Sequence, residues 1–347
     1  MRCTLLAGRT ASPPRPASLH HRPGMPADAP LNMAVMIITR DRPEELARCL
    51  AALAAATTPP GVELNWVVVD NASPAQEEPI RRLAATAGLA ITYANEPVRG
   101  YASPRNRALG VSLATGADIL LFIDDDVAAE PDLLVAHLEG LKSADADVSM
   151  GGQTGRDIGQ ARRFRKMKVA TLNVAFRRWL VDPLPDQDGS PGLRFDTRLN
   201  LTGFEDHEFF YEAQARGARI TRNGAARVTL ADSRSSITQK SMTDELVATY
   251  LYATARNLTY LRRLRHGPRA AWATATYMLA TLGMRTAINA PLSLAARHIA
   301  PRVAAEARRH VVQDLAYMHG LRHGLVMPGV ERAAAKRGEI IEIVEGE

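Results

Sequence analysis

The chain has 347 residues, of which 46% are hydrophobic and 23% charged, enough for one large globular domain or two smaller ones. Two cysteines exclude a disulfide framework and a paired-cysteine zinc site, and an aromatic content of 5% argues against a stacking platform for single-stranded nucleic acid. The net charge of +6 is uneven: residues 1–32 carry +3 and residues 256–309 carry +9, which leaves −6 for everything else and does not suit a nucleic-acid-binding domain.

The first 32 residues are predicted to be a disordered leader. They contain six prolines and no apolar periodicity. A secretory signal needs an apolar run of roughly 7–15 residues, and Leu5-Leu6 is too short to supply one. We therefore expect a reducing, cytoplasmic compartment, with Met25 and Met33 as alternative starts of translation.

From Met33 onwards, apolar segments of strand length alternate with helical patterns. The predicted strands are Met33–Thr39, Leu64–Val69, Ala90–Tyr93 and Ile119–Ile123, and the predicted helices between them are Glu44–Ala56, Glu77–Ala87 and Ser103–Thr115. This alternation indicates a parallel, doubly wound sheet. Ligands of such sheets bind outside the carboxyl ends of the strands, so the polar residues that follow the strands are the first candidates for a site.

Three consecutive aspartates, Asp124, Asp125 and Asp126, follow the fourth predicted strand. Crowded carboxylates raise one another's pKa unless a cation neutralises them. In an extended segment the first and third residues point to one side, so Asp124 and Asp126 can face a single Mn²⁺ or Mg²⁺ ion. The alternative is an acidic cap of the helix that begins near Pro131, but the position at the end of a strand favours the metal site.

Five motifs, taken in order, resemble those of the family 2 glycosyltransferases of the GT-A fold. They are TRDRP after the first strand, VVVDNAS at the second, NRALG after Arg105, LLFIDDDV at the fourth, and GFEDHEFFYEAQARG from Gly203. Together they extend over about 200 residues, from Ala34 to Ser233. The resemblance implies an α/β GT-A fold, in which helices flank a mostly parallel, Rossmann-like central sheet and a nucleotide-sugar donor lies across that sheet.

The resemblance places the nucleotide of the donor at the ends of the first two strands. Thr39 and Arg40 would line the nucleotide site, and Asp70 would accept a hydrogen bond from the base. A carboxylate at a strand terminus suits an imide N–H, which makes this role chemically reasonable. The alternative for Asp70 is an Asx-type turn built with Asn71 and Ser73.

The remaining donor contacts are predicted at a helix start and at the aspartates. Arg105 lies where a helix begins, and a helix N-terminus beside an arginine attracts anions such as a diphosphate. A surface role for Arg105 is an equal alternative. Asp124 and Asp125 complete the predicted nucleotide-sugar site.

The segment that begins at Gly203 matches the family's acidic motif near the acceptor. The resemblance makes Asp206 the general base that takes the proton of the acceptor hydroxyl, with Glu205 beside the acceptor. Glu205 or Glu208 is an alternative base, because acids are favoured in the first turn of any helix. Trp179 is a further acceptor candidate, since its ring could pack on a sugar; burial in the core is the alternative.

One departure from the family concerns a metal-ligating histidine after the next strand. The matching stretch, Ala226–Asp232, contains no histidine. Asp232 or water could take this place, or the requirement for metal is weaker than in the family.

The C-terminal third is predicted to be a helical extension. Glu245–Leu264 has helical periodicity, and the longest uncharged run, Ala270–Met284, has 15 residues. Crossing a bilayer takes about 20 apolar residues, so we expect no membrane span. The helices are expected to pack on the catalytic domain, and a peripheral contact of their arginines with an anionic membrane is the alternative.

We therefore expect a leader (1–32), a catalytic domain (33–240) with a nucleotide-sugar half (33–127) and an acceptor half (128–240), and a helical region (241–347). The expected function is a metal-dependent, inverting transfer of a sugar from a nucleotide-diphosphate donor to a hydroxyl of a glycan, lipid-linked or natural-product acceptor, with Mn²⁺ or Mg²⁺ as cofactor. One alternative is a metal-dependent nucleotidyltransferase, although Thr39–Pro43 lacks a glycine-rich phosphate loop. The other is a non-catalytic module that binds a sugar nucleotide.

Overall fold

The structure, a computed structural model, describes residues 29–154, 169–182, 192–200, 203–230, 244–297 and 300–326. The chain divides into two compact units. Of the described residues, 29–154, 169–182, 192–200 and 205–230 belong to the first unit, and 203–204, 244–297 and 300–326 belong to the second. The first unit contains a β-sheet with its flanking helices, and the second contains two long helices.

The first unit is built from eight described strands and five described helices. The strands are β1 (Leu31–Thr39), β2 (Val62–Asp70), β3 (Ile91–Asn95), β4 (Ile119–Asp124), β5 (Val127–Ala129), β6 (Val148–Gln153), β7 (Asn173–Arg177) and β8 (Ile220–Leu230). The helices are α1 (Pro43–Ala54), α2 (Glu77–Thr86), α3 (Ala102–Ala114), α4 (Leu133–Ser143) and α5 (Glu205–Ala215).

The eight strands form one sheet in the order β3-β2-β1-β4-β7-β6-β8-β5. The first four strands of this order are parallel, as predicted from their alternation with helices. Beyond β4 the sheet is mixed: β7 runs antiparallel to β4 and β6, β6 is parallel to β8, and β5 is antiparallel to β8. The predicted α/β fold is confirmed, with a sheet that is less uniformly parallel than expected.

The central strands are buried on both faces, which explains why they read as continuous apolar runs. Successive side chains point to opposite faces, so each strand contributes to two separate clusters. One cluster contains Met36, Val67, Leu120 and Phe122 with residues of α3 and α5. The other contains Val35, Ile37, Val68 and Leu121 with residues of α1 and α4.

Strand β1 begins before the predicted boundary of the leader. Leu31 and Asn32 are buried and pair with Val62 and Glu63 of β2. The backbone N–H of Asn32 also donates to Asp118 Oδ2 at 3.0 Å. Residues 31 and 32 therefore belong to the sheet, and residues 1–28 lie outside the described part of the chain.

The second unit contains α6 (Asp244–Ala295) and α7 (Pro301–Val326). Helix α6 is interrupted at Gly267, where φ is 82° and ψ is 169°, and it resumes at Pro268, which suits the first position of a helix. The two helices pack through a small core of Ala255, Ala271, Ala275, Leu321 and Leu325. Within the described ranges no helix is long and apolar enough to cross a membrane.

Candidate active site

A cleft of about 270 Å³ lies at the carboxyl ends of β1, β2 and β4. The start of α3 and the loop before it also line the cleft. Six residues selected in the sequence analysis are in its wall: Thr39, Arg40, Arg105, Asp124, Asp125 and Asp126. The cleft therefore occupies the place where a doubly wound sheet binds its ligands.

Arg40 connects the end of β1 to the turn that follows β2. Its Nη1 atom donates to the carbonyl oxygens of Asn71 at 2.7 Å and Ala72 at 2.6 Å. The backbone N–H of Asp41 donates to Ser73 Oγ at 2.8 Å. These bonds fix the turn against β1, so the Arg40 guanidinium has a structural task in addition to any contact with a ligand.

Asp70 ends β2 in register with Thr39 of β1 and Asn95 of β3. It is buried, and its Oδ2 atom accepts a hydrogen bond from the hydroxyl of Tyr93 at 3.1 Å. Burial raises the pKa of Asp70, and hydrogen bonds from Ser73 and Tyr93 oppose that rise. Asp70 is not among the described residues that line the cleft, and its contact with a base stays a prediction.

The pKa of Asp124 is influenced by charges on several elements around the cleft. Burial raises its pKa, and the negative charges of Asp126 and Asp206 raise it further. The positive charges of Arg105 and Arg42 act in the opposite direction. Asp124 therefore links the end of β4 electrostatically to Asp206 on α5, which lies more than 80 residues later in the sequence.

Arg42 is the cation nearest to the other two aspartates among the described ion pairs. Its Nη1 atom lies 3.4 Å from Asp125 Oδ1 and 3.5 Å from Asp126 Oδ2. Burial raises the pKa of Asp125 to about 6, although Thr39 and Arg42 both lower it. The three consecutive acids are thus partly neutralised by an arginine from the loop after β1.

Arg105 joins α3 to the start of α5. Its Nη1 atom donates to the carbonyl oxygen of Tyr101 at 2.9 Å and lies 2.7 Å from Glu205 Oε1. The side chains of the ion pair are only 12% and 5% exposed. Burial raises the pKa of Glu205 to about 7, and the charge of Arg105 opposes this rise. Arg105 is therefore a buried ion-pair residue rather than a surface arginine.

Asp206 follows Glu205 in the first turn of α5. Its Oδ1 atom accepts a hydrogen bond from the backbone N–H of His207 at 2.7 Å, and its side chain is 17% exposed. The charge of Asp206 raises the pKa of Asp124. Asp206 is thus near the cleft and also accessible to solvent, whereas Glu205 is buried.

Trp179, which we considered as an acceptor residue, lies in the hydrophobic core. It is 4% exposed, and its indole N–H donates to Asp147 Oδ1 at 3.1 Å. Asp147 is itself buried and also accepts from the backbone N–H of Arg219. The structure therefore favours the alternative of burial, because a ring enclosed in this way cannot pack on a sugar.

The three aspartates fit a divalent cation that is held by one or two carboxylates. In the described ranges, His, Cys, Asp and Glu form no group of three that could enclose a metal ion. Mg²⁺ at phosphate sites needs only one or two carboxylates, because phosphate and water oxygens complete its shell. Asp124 and Asp126 line the same cleft, which suits that mode of binding. Asp232, the proposed substitute for the missing histidine, lies outside the described residues.

Five described residues of the cleft wall were not selected from the sequence as site residues: Ile38, Arg42, Asn71, Gly100 and Tyr101. Arg42 belongs to the TRDRP motif, whose charge next to the predicted site could have indicated it. Tyr101 is 53% exposed and precedes α3. No local pattern in the sequence pointed to it.

Asn200, which is distant in sequence, positions the loop and the helix start that line the cleft. Its Oδ1 atom accepts from the backbone N–H groups of Ala102 at 2.9 Å and Ser103 at 3.0 Å, in the first turn of α3. Gly100 lies against this side chain, and a Cβ atom there would collide with the Asn200 amide. Asn71 closes the same loop through hydrogen bonds with the backbone of Gly100.

Parts of the chain are similar to known proteins, and these similarities concern the region that contains the cleft. Residues 34–198 match the family described as Glycosyl transferase family 2. The galactofuranosyltransferase GlfT2 of Mycolicibacterium smegmatis is 33% identical over 135 residues, which are 37% of this chain and 20% of that protein. The chain thus covers about a fifth of the length of this relative.

Two solved structures are similar over most of the chain. The mannosyltransferase PcManGT of Pyrobaculum calidifontis, in complex with GDP-Man and Mn²⁺, has a TM-score of 0.50 and 17% identity and covers 85% of this chain and 87% of its own. S. aureus TarS 1–349 with UDP-GlcNAc has a TM-score of 0.48 and 18% identity, over 85% and 92% of the two chains. The first of these similarities supports the fold.

Proposed function

We propose that the chain is a glycosyltransferase, because residues 34–198 match the family described as Glycosyl transferase family 2 and 135 residues are 33% identical to a galactofuranosyltransferase. We propose that it transfers a sugar from a nucleotide-diphosphate donor to an acceptor hydroxyl, with inversion at the anomeric carbon and with help from a divalent cation. One observation supports this most directly: Asp124, Asp126 and Arg105 line one cleft at the carboxyl ends of the strands, where a doubly wound sheet binds its ligands.

The proposed binding site for the nucleotide-sugar donor lies at the carboxyl ends of β1, β2 and β4. The nucleoside would lie near Thr39, Arg40 and Asp70, where a carboxylate can accept a hydrogen bond from a base. Asp124 and Asp126 would hold Mn²⁺ or Mg²⁺, which when bound neutralises charge on the departing diphosphate. The positive charge of the ion would offset the electrostatic repulsion between the Asp124 and Asp126 carboxylates.

Asp206 is the proposed general base. A carboxylate that accepts the proton of the acceptor hydroxyl makes the oxygen a better nucleophile as it attacks the anomeric carbon. Asp206 suits this role because it is partly exposed and lies near Asp124. Glu205, the neighbouring acid, is occupied by Arg105 at 2.7 Å. Inversion is part of the proposal because the resemblance to family 2 glycosyltransferases implies it.

The proposal is tested by donor binding and donor consumption in the presence and absence of metal. The wild-type protein is screened with UDP- and GDP-sugars, with Mn²⁺, Mg²⁺ or EDTA, and release of nucleoside diphosphate is measured with water or alkyl glycosides as acceptors. We expect one donor with metal to raise the melting temperature, because a ligand of the folded state stabilises it by mass action.

The variant Asp126→Ala should lose the metal-dependent part of donor binding, and Glu139→Ala, an exposed acid on α4, should retain it. Equal donor affinity of Asp126→Ala with and without Mn²⁺ would refute the metal assignment. Release of pyrophosphate from a nucleoside triphosphate and a sugar phosphate would instead identify a nucleotidyltransferase.

A further inference from the structure

The part of α6 that follows Gly267 has an exposed apolar surface. From Ala270 to Ala296 the single charged residue is Arg285. Five large apolar side chains in this stretch are between 56% and 71% exposed: Trp272, Tyr277, Met284, Ile288 and Leu294. We call these five residues the α6 apolar face. Exposed apolar surface that is contiguous in this way marks a place where another molecule binds.

Three of these residues align along the axis of the helix. Tyr277, Met284 and Ile288 are separated by seven and four residues, so they lie in one stripe along the helix. At 1.5 Å per residue this stripe is about 16 Å long. Trp272 and Leu294 lie nearer the two ends of the helix, on its exposed side but outside this stripe.

The one charge within the stretch has a partner in the neighbouring helix. Arg285 Nε donates to Asp314 Oδ2 on α7 at 2.8 Å, and a second bond joins Arg285 Nη2 to Asp314 Oδ1. Asp314 is 1% exposed. The guanidinium is thus paired with a buried carboxylate, although the Arg285 side chain itself is 51% exposed beside the apolar face.

The surroundings of the face are strongly basic. Residues 256–309 contain ten arginines and one glutamate. Arg269 precedes the apolar stretch, and Arg302 and Arg308 follow it at the start of α7; all three are exposed. An apolar helix face flanked by arginines is the arrangement of helices that lie in the interface of an anionic membrane.

We propose that the α6 apolar face binds the surface of an anionic lipid bilayer, with the helix parallel to the membrane and the flanking arginines at the headgroups. A second copy of the chain would be a poorer partner, because it would bring two segments of charge +9 together. The proposal goes beyond the transfer reaction and does not depend on which sugar is transferred.

Trp272 supplies a direct measurement. The chain has three tryptophans; Trp66 and Trp179 are 6% and 4% exposed, and Trp272 is 56% exposed. The full-length protein is mixed with vesicles of phosphatidylcholine alone or with phosphatidylglycerol, some containing brominated lipids. We expect a blue shift and quenching of Trp272 emission only with the anionic vesicles, weakened by added salt because the arginine contribution is screened.

Ile288→Asp should lower vesicle binding by about tenfold or more, because it places a charge where an apolar side chain would enter the lipid. Met284→Gln is a milder second variant, and circular dichroism verifies that both remain folded. The matched control is Val98→Asp, which changes a 55% exposed apolar residue in the first unit and should bind vesicles normally.

Three outcomes would overturn the proposal. Absence of vesicle binding or equal binding to neutral and anionic vesicles would each exclude the anionic bilayer. The α6 apolar face would be assigned to a second copy of the chain by two results together. These are blue-shifted Trp272 emission in the absence of vesicles and a dimer in sedimentation equilibrium.

Discussion

Glu205 and Asp206 are adjacent on α5, yet they have different environments. Glu205 is enclosed beside Arg105, and Asp206 is partly open to solvent and influences Asp124. Two neighbouring acids in different environments can have different protonation states and different tasks. Under the proposed function, Glu205 holds Arg105 in place and Asp206 is the acid that contacts the acceptor hydroxyl.

Replacement of Asp206 tests its role as general base. In Asp206→Asn we expect donor binding to be retained and turnover to fall by about 10²-fold or more, because an amide cannot accept the proton. Turnover is measured as release of nucleoside diphosphate, and donor affinity by titration calorimetry. Glu212→Gln on the same helix is the control and should keep its turnover. Unchanged turnover in Asp206→Asn would assign the base to another residue.

The raised pKa of Glu205 makes stability depend on pH. The pKa is about 7 in the folded chain, compared with an ordinary value of 4.5. Between these values the unfolded chain releases a proton that the folded chain keeps, so stability falls as pH rises from about 4.5 to about 7. In Glu205→Gln we therefore expect a smaller drop in melting temperature between about pH 5 and about pH 8.

The control for this measurement is Glu78→Gln, which replaces an exposed acid on α2. It should reproduce the pH dependence of the wild type. If Glu205→Gln shows the same drop as the wild type, then the Arg105 ion pair keeps Glu205 ionised in the folded chain and the pKa is not raised.

Among the elements, α3 depends most clearly on a residue that is distant in sequence. Asn200 accepts hydrogen bonds from two N–H groups of the first turn and donates to the carbonyl oxygen of Arg99 and to Ser103 Oγ. No residue of α3 itself caps its N-terminus. The orientation of this helix, and with it the position of Arg105, is therefore determined by tertiary contacts.

Asn200→Ala should lower the free energy of unfolding by about 1–2 kcal/mol, the size of a lost helix cap. Asn200→Asp keeps the acceptor oxygens next to the helix N-terminus and should lose less. Denaturation by urea measures both differences. An equal loss in the two variants would show that the donated hydrogen bonds, rather than the cap, carry the stabilisation.

The sequence predicted the elements whose pattern is local. Strands β1, β2 and β4 are buried on both faces, so their continuous apolar runs identify them, and the aspartates mark the end of β4. Asn200 and Trp179 could not be placed in this way, because their partners lie about 100 and about 30 residues away in the sequence. The cleft was thus predictable where it consists of strand ends and unpredictable where it depends on packing.

At the scale of the whole molecule, the two units differ in the size of their hydrophobic cores and in the apolar surface that they expose. The first unit is held by two hydrophobic clusters on either side of the sheet. The second has a small core of alanines and leucines between α6 and α7 and an apolar outer face. This contrast agrees with the two proposals, which place the transfer reaction in the first unit and the membrane contact in the second.

Strand β4 hydrogen-bonds to β1 in the donor half and to β7 in the acceptor half, with five or more paired residues on each side. Because both halves share β4, the sheet has no hinge between them. The two halves therefore cannot open and close as separate rigid bodies. Under the proposed function, the donor would therefore enter and the diphosphate would leave through movements of the surrounding loops, while the sheet itself keeps the distance between the leaving group and the attacking hydroxyl.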